Sequence, residues 1–359
     1  MRKIILLGFL TLLFISCQSK TPSTVTDPVE TKNPETSYQP SFVGQTRIKG
    51  VKTKTNLEVS IITDQLKQPW GISNFIDDRF LVTQKQGSLL IVNRDGTLSE
   101  PIVGFPSLET NSQAGLLDVV ISPNFKENRH IYFTYSEKSE QGSVTAVGYG
   151  RLSEDETKIE DFQTIYRALP YFNNGLHFGS RIVFDKEGNL FVSTGERSSL
   201  ETRSMAQELD NGYGKIVHLT ATGKPVSDSQ FEIYSFGHRN VQGLAIHPET
   251  HELWASEMGP KGGDELNRIG FGKNYGWPVI SYGVEYSGKP IGEGITQKDG
   301  LVQPVYYWDP VIAPSGMAFY DSDVISEWTN NLFIAGLRGS HIARIVIEDN
   351  KVIAEERLL

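Results

Sequence analysis

A strand–turn–strand pattern recurs five times along this chain, and few folds are built that way. Trp70-Gly71-Ile72 leads through Asp77-Asp78 to Phe80-Leu81-Val82. Leu117-Asp118-Val119-Val120-Ile121 leads through Pro123-Asn124 to Ile131-Tyr132-Phe133. Arg181-Ile182-Val183-Phe184 leads through Lys186-Glu187-Gly188 to Leu190-Phe191-Val192. Gly243-Leu244-Ala245-Ile246 leads through Pro248-Glu249 to Leu253-Trp254-Ala255, and Gly316-Met317-Ala318-Phe319 through Asp321-Ser322 to Leu332-Phe333-Ile334. Apolar residues grouped around turn residues mean antiparallel strands. Repetition every roughly 45 to 75 residues means propeller blades of four strands each. The 34 glycines supply the tight turns that such an all-β fold needs. No long helical period appears, which argues against a Rossmann-type sheet and against NAD chemistry.

A propeller closes only when its last blade meets its first, because otherwise two sheet edges stay open. The sequence stops at Glu355-Glu356-Arg357-Leu358-Leu359, directly after the fifth copy. The expectation is a six-bladed β-propeller of four-stranded antiparallel blades, C-terminally incomplete because the chain is truncated before its last blade. A genuine five-bladed protein is the alternative.

The N-terminus carries a different signal. Met1-Arg2-Lys3 is basic, and Ile4 to Ile15 form an apolar run too short for a stable transmembrane helix. Phe14-Ile15-Ser16-Cys17 then resembles a bacterial lipobox, so residues 1–17 read as a lipoprotein signal peptide with Cys17 as the lipidated residue. An ordinary signal peptide cleaved nearby is the alternative. Cys17 is the only cysteine, which excludes an internal disulfide and cysteine-based zinc sites. Residues 18–45 are rich in Ser, Thr, Pro, Glu and Lys and read as a flexible linker, with the propeller domain spanning 46–359. The expected location is the bacterial envelope, lipid-anchored to the outer membrane and facing periplasm or surface. A net charge of −9 without a basic tract excludes nucleic acid as a partner. With no coiled-coil pattern, a monomer is the default.

Four segments beside the inner strands are site candidates, since such strands and their loops line the mouth of a propeller channel. Gln113 precedes one inner strand and can both donate to and accept from sugar hydroxyls, or serve only as a turn residue. His177, in His177-Phe178-Gly179-Ser180-Arg181, sits among small residues and titrates near neutral pH, as a general base should, although a lone histidine is often structural. Gly237-His238-Arg239-Asn240-Val241-Gln242-Gly243 places Arg, Asn and Gln beside an inner strand, fitting an anionic or polar ligand or else a structural salt bridge. Ser256 to Asn267, followed by Asn274-Tyr275-Gly276-Trp277-Pro278, combines carboxylates, Gly turns and free carbonyls. That set suits a calcium ion or a solvated acidic loop.

Taken in order over residues 60 to 359, these segments resemble the soluble aldose sugar dehydrogenases of the glucose/sorbosone dehydrogenase family. Their members are six-bladed propellers that use pyrroloquinoline quinone (PQQ). The most specific stretches are Gly237-His238-Arg239-Asn240-Val241-Gln242-Gly243-Leu244-Ala245 and Ser256-Glu257-Met258-Gly259-Pro260. The resemblance implies PQQ and Ca²⁺ as cofactors, an aldose sugar as substrate and a separate electron acceptor. It implies His177 as the general base that takes the proton of the anomeric hydroxyl while hydride leaves C1 for the quinone. It implies Gln113 as substrate-binding and Arg239 and Asn240 as PQQ-binding. It implies the carbonyls of Gly259 and Pro260 as ligands of the calcium under PQQ, with Glu265 and the Tyr275 carbonyl at a further calcium. Tyr286, Leu337, Arg338 and Gly339 match positions that contact the cofactor, and Trp308 flanks it.

The sequence departs from the family at several places. Arg338 stands where Lys is usual, Leu176 where the glucose-type member has an acid, and Arg197 where that member has Gln. The family's Arg-x-Arg clamp belongs to a sixth blade and is expected beyond residue 359, so the chain as given is expected to be inactive or unstable. Two rivals explain the repeats differently. One is a non-catalytic surface propeller that binds a glycan or protein, the other a metal-dependent lactonase on a similar propeller.

Overall fold

The computed structural model describes residues 27–226 and 232–359. The expected lipidation site Cys17 and the whole of segment 1–17 lie outside the described residues. Among the described residues no helix is long and apolar enough to cross a membrane.

Each of the five sequence repeats is the inner hairpin of a blade. Blade 1 is Pro69–Asn74, Phe80–Gln84 and Ser88–Val92, extended by the isolated bridges Leu89 to Ile102 and Val92 to Leu98. Blade 2 is Leu116–Ile121, His130–Ser139, Gly142–Leu152 and Ile159–Arg167. Blade 3 is Gly179–Phe184, Leu190–Thr194, Lys215–Leu219 and Ile233–Phe236, with Lys273–Asn274 added in parallel at its edge. Blade 4 is Val241–Ile246, Leu253–Glu257, Asp264–Ile269 and Tyr306–Trp308. Blade 5 is Pro314–Phe319, Leu332–Gly336, His341–Glu348 and Lys351–Leu358. Among the described residues the fold is thus an all-β propeller with five blades of antiparallel strands.

The apolar core lies between successive blades. Leu81 and Leu89 of blade 1 meet Val119 and Phe133 of blade 2, and Val144 and Val147 of blade 2 meet Val192 and Val217 of blade 3. Ile216 of blade 3 meets Leu244 and Ala255 of blade 4, whose Trp254 meets Ile334 and Ile345 of blade 5. Burying both faces of every middle strand explains why the second strands read as apolar runs.

Every inner strand is bulged near its start, with register shifts between Pro69 and Ile72, Leu116 and Val119, Gly179 and Ile182, Val241 and Gly243, and Pro314 and Met317. A bulge leaves a backbone N–H without a ladder partner and re-aims side chains. In blades 1 to 3 a hydroxyl on the second strand takes that N–H. Thr83 Oγ1 accepts from Gly71, Thr134 Oγ1 from Asp118 and Ser193 Oγ from Arg181, each at 2.9 Å. The same hydroxyls donate to carbonyls of the next blade: Thr83 to Leu117, Thr134 to Ser180 at 2.6 Å and Ser193 to Val241 at 3.0 Å. Buried polar residues thereby form a belt around the axis, in place of the apolar residues that a strand pattern alone would suggest. At its centre Arg181 donates to Asp118 at 2.8 Å and lies 4.6 Å over the Trp70 ring.

Residues 27–45, read from composition as part of a flexible tether, are docked on blades 4 and 5. Gln45 is fully buried, its amide donating to the Pro304 carbonyl. The backbone N–H groups of Glu35 and Thr36 donate to the carboxylate of Asp309 at 2.7 and 3.0 Å. Val51 and Glu355 continue the contact along the outer strand of blade 5. The folded unit therefore includes residues before the expected boundary at 46. Hydropathy could not reveal this, because the segment docks through backbone groups and polar side chains.

Candidate functional site

The bulged strands open on one cavity. A space of about 260 Å³ is walled by Trp70, Lys85, Ser112, Gln113, Leu117, Phe178, Asn240, Gln242, Met258 and Leu337. Trp70, Gln242 and Leu337 also wall a larger space of about 530 Å³ between the inner strands of blades 1 and 5. Of the residues singled out in sequence, Gln113, Asn240 and Leu337 therefore meet at one mouth.

His177 joins them through the loop that enters blade 3. Its N–H donates to Gln113 Oε1 at 2.8 Å, so Gln113 supports the histidine as well as facing the cavity. The backbone of His177 is left-handed, at φ 49°. Gly195 allows this, because a Cβ there would lie 2.1 Å from the His177 carbonyl oxygen. The ring Nδ1 sits 2.5 Å from Glu196 Oε1. A carboxylate on Nδ1 fixes the proton there and leaves Nε2, which has no hydrogen-bond partner among the described residues, with its lone pair free. Burial holds the imidazole below its ordinary pKa, helped by the Arg239 charge and opposed by Glu196. Burial and the Arg239 charge thus favour the uncharged ring.

Glu196 was not anticipated, although a signal existed. Blade 4 repeats the arrangement with His238 and Glu257, and both His–Glu pairs are 19 residues apart. Glu257 ends the second strand of its inner hairpin and Glu196 follows its own by two residues, each next to the histidine that leads into the first strand. Arg197 was singled out only as a departure. It clamps the same loop, donating to the carbonyls of Leu176 at 3.1 Å, Ser143 at 2.7 Å and Asn174, and stacks 4.1 Å from Phe178.

A second, ion-sized space of about 10 Å³ adjoins Arg239. All four expected metal-site residues, Gly259, Pro260, Glu265 and Tyr275, wall it, together with Glu257. Burial raises Glu265 well above the usual carboxylate range, and the neighbouring Glu257 adds to this. Among the described residues no Lys or Arg hydrogen-bonds to Glu265; Asn267 does, at 3.1 Å. Glu257 instead holds the Arg239 backbone N–H at 2.7 Å. Arg239 is buried, spends one guanidinium nitrogen on the Met258 and Gly259 carbonyls, and keeps an Nε that has no hydrogen-bond partner among the described residues. Two buried carboxylates and several carbonyls around an ion-sized space suit a hard cation.

Trp308, Tyr286, Arg338 and Gly339 do not themselves wall these spaces. Trp308 is buried in the core between blades 4 and 5. Tyr286 is exposed on the turn between Val284 and Pro290. Arg338 and Gly339 follow Leu337 on the turn of blade 5, where Arg338 pairs with Glu35.

Comparison with known proteins resolves the lineage. A family model described as Glucose / Sorbosone dehydrogenase matches residues 66–359. The chain belongs to the glucose/sorbosone dehydrogenase family. It is 41% identical over 314 residues to the aldose sugar dehydrogenase YliI of Escherichia coli, covering 84% of each sequence. Among solved structures it is similar to the apo-form soluble aldose sugar dehydrogenase of E. coli, with TM-score 0.79 and 40% identity, over 84% of this chain and 89% of that one. It is also similar to the PQQ-bound aldose sugar dehydrogenase of Streptomyces coelicolor, with TM-score 0.69 and 26% identity, over 87% and 85% of the two chains. The family is one of oxidoreductases, and the non-catalytic and lactonase alternatives find no support in it.

Proposed function

We propose that the protein is a PQQ- and calcium-dependent aldose dehydrogenase that oxidises the sugar at C1 to the lactone. The observation that carries this is the buried His177–Glu196 pair beside a cavity walled by Gln113 and Asn240. Bound PQQ supplies the hydride acceptor, and calcium the Lewis acid that polarises it. The residues present fit both groups. Arg239, with its free Nε, and Asn240 would hold PQQ, as would Leu337, Arg338 and Gly339 at the rim. Gly259, Pro260, Glu265 and Tyr275 would hold calcium around the small cavity.

The chain's own groups then do three things. Gln113 orients a sugar hydroxyl with its amide N–H while its oxygen keeps the His177 backbone in place. His177 takes the C1 hydroxyl proton at Nε2. Glu196 stabilises the imidazolium so formed, inside a site where burial strengthens every charge–charge contact.

The apolar wedge between the inner strands of blades 1 and 5, walled by Ile72, Met317 and Phe333, is where a sixth blade would pack. Lipidation of Cys17 would tether a monomer to the envelope. The electron acceptor would be a separate molecule that visits the mouth.

The test is reduction of an artificial dye by a panel of aldoses, with PQQ and calcium added to the full-length protein. Activity that requires both cofactors and disappears in His177→Ala supports the proposal. A full-length protein that binds no PQQ sinks it.

A further inference from the structure

The segment preceding the family domain reaches the proposed cofactor rim. Residues 27–49 lie outside the stretch matched by the family model, which starts at 66. Asp309, buried at the end of the outer strand of blade 4, latches this segment. Its carboxylate accepts the backbone N–H of Glu35, the backbone N–H of Thr36 and the Thr36 hydroxyl at 2.7, 3.0 and 2.7 Å. Arg47 adds a bond of 2.7 Å to the Asp309 carbonyl. Thr36 also abuts Gly262, in the loop that carries Gly259 and Pro260.

So fixed, Glu35 turns its side chain to Arg338. The two terminal guanidinium nitrogens face its two carboxylate oxygens at 3.1 and 3.5 Å. That two-point pairing is the one an arginine would offer any carboxylate ligand. Arg338 directly follows Leu337, which walls the cavity shared with Gln113 and Asn240.

We propose that Glu35 is a resident carboxylate that occupies the guanidinium fork of Arg338 and must yield it when an anionic cofactor loads, so that the N-terminal segment sets cofactor affinity. The inference rests on the reading of this rim as a PQQ site. PQQ is a tricarboxylate, and one fork cannot serve two carboxylates in the two-point mode. Glu35 is then a positioning residue acting through Arg338. The segment is held by the backbone of Glu35, not its side chain, so Glu35→Gln removes the charge and leaves the latch.

The experiment measures the PQQ dissociation constant of the full-length protein with calcium, by quenching of tryptophan fluorescence, in a double-mutant cycle of Glu35→Gln and Arg338→Ala. The pair is partly exposed, so Glu35→Gln is expected to tighten binding by about twofold to fivefold. In the Arg338→Ala background the same change should alter binding by less than about 1.5-fold. Unchanged or weaker binding in Glu35→Gln overturns the inference, as does equal tightening without Arg338. Absence of PQQ binding in the unmutated protein would remove the cofactor reading itself, and the inference with it. Equal melting temperatures for the unmutated and Glu35→Gln proteins verify that the latch holds.

Discussion

Replacing Glu196 by Gln is the sharpest probe of the proposed chemistry. The substitution preserves volume in a site where Glu196 is almost fully buried. Its oxygen can still accept the Ser198 N–H, which now lies at 3.0 Å. What is lost is the negative charge 2.5 Å from His177 Nδ1. In the resting site that charge orders a neutral ring. Once Nε2 has taken the sugar proton, it stabilises a full imidazolium, so most of its effect falls after binding. A buried hydrogen bond to a charged partner contributes about 1.5–3 kcal/mol. At about 1.4 kcal/mol per tenfold, kcat should fall by about tenfold to a hundredfold with KM little changed. His177→Ala, which removes the base itself, should cost about a hundredfold to ten-thousandfold. Dye-coupled turnover with PQQ and calcium at saturating aldose reads both, and melting curves confirm the fold. If Glu196→Gln stayed within about twofold of the unmutated kcat, the pair would not be the catalytic base and the argument from its geometry would fail.

Further outcomes follow from the same structure. Burial, with the Arg239 charge, holds His177 below its ordinary value, so the acid limb of kcat/KM against pH should lie below about 6.5. Glu196→Gln should move it lower still. By linkage, the folded histidine binds fewer protons than the unfolded one. Its contribution to stability is complete above about pH 6.5 and is lost as pH falls toward the folded value, which urea titrations at several pH values would detect. Thr134→Val should destabilise by about 1–3 kcal/mol, because it orphans the buried Asp118 N–H and Ser180 carbonyl together, and urea denaturation measures it. Calcium at about a hundred times its dissociation constant should stabilise by about 2.7 kcal/mol, raising the melting temperature, and Glu265→Gln should abolish the rise. Gly195→Ala should depress kcat through displacement of the His177 carbonyl, a loss visible in the turnover assay without loss of calcium binding.

The grouping of apolar residues around five turns determined the strands and their inner hairpins, because strands buried on both faces leave short apolar runs that local sequence records. The runs around His177, Arg239 and Gly259 likewise announced a polar site, since such residues beside inner strands need a ligand or a partner. Other features were decided only by tertiary structure. Gln113 and His177 are 64 residues apart, and their bond exists because two neighbouring blades bring their entry loops together. Glu196 looked like any strand-end acid until the hairpin folded it back onto the ring. The Thr83, Thr134 and Ser193 belt depends on bulges, which shift register without any mark in hydropathy. The docking of residues 27–45 escaped composition for the same reason: Asp309 holds Glu35 and Thr36 by their backbone N–H groups, which every residue but proline carries and no sequence pattern distinguishes.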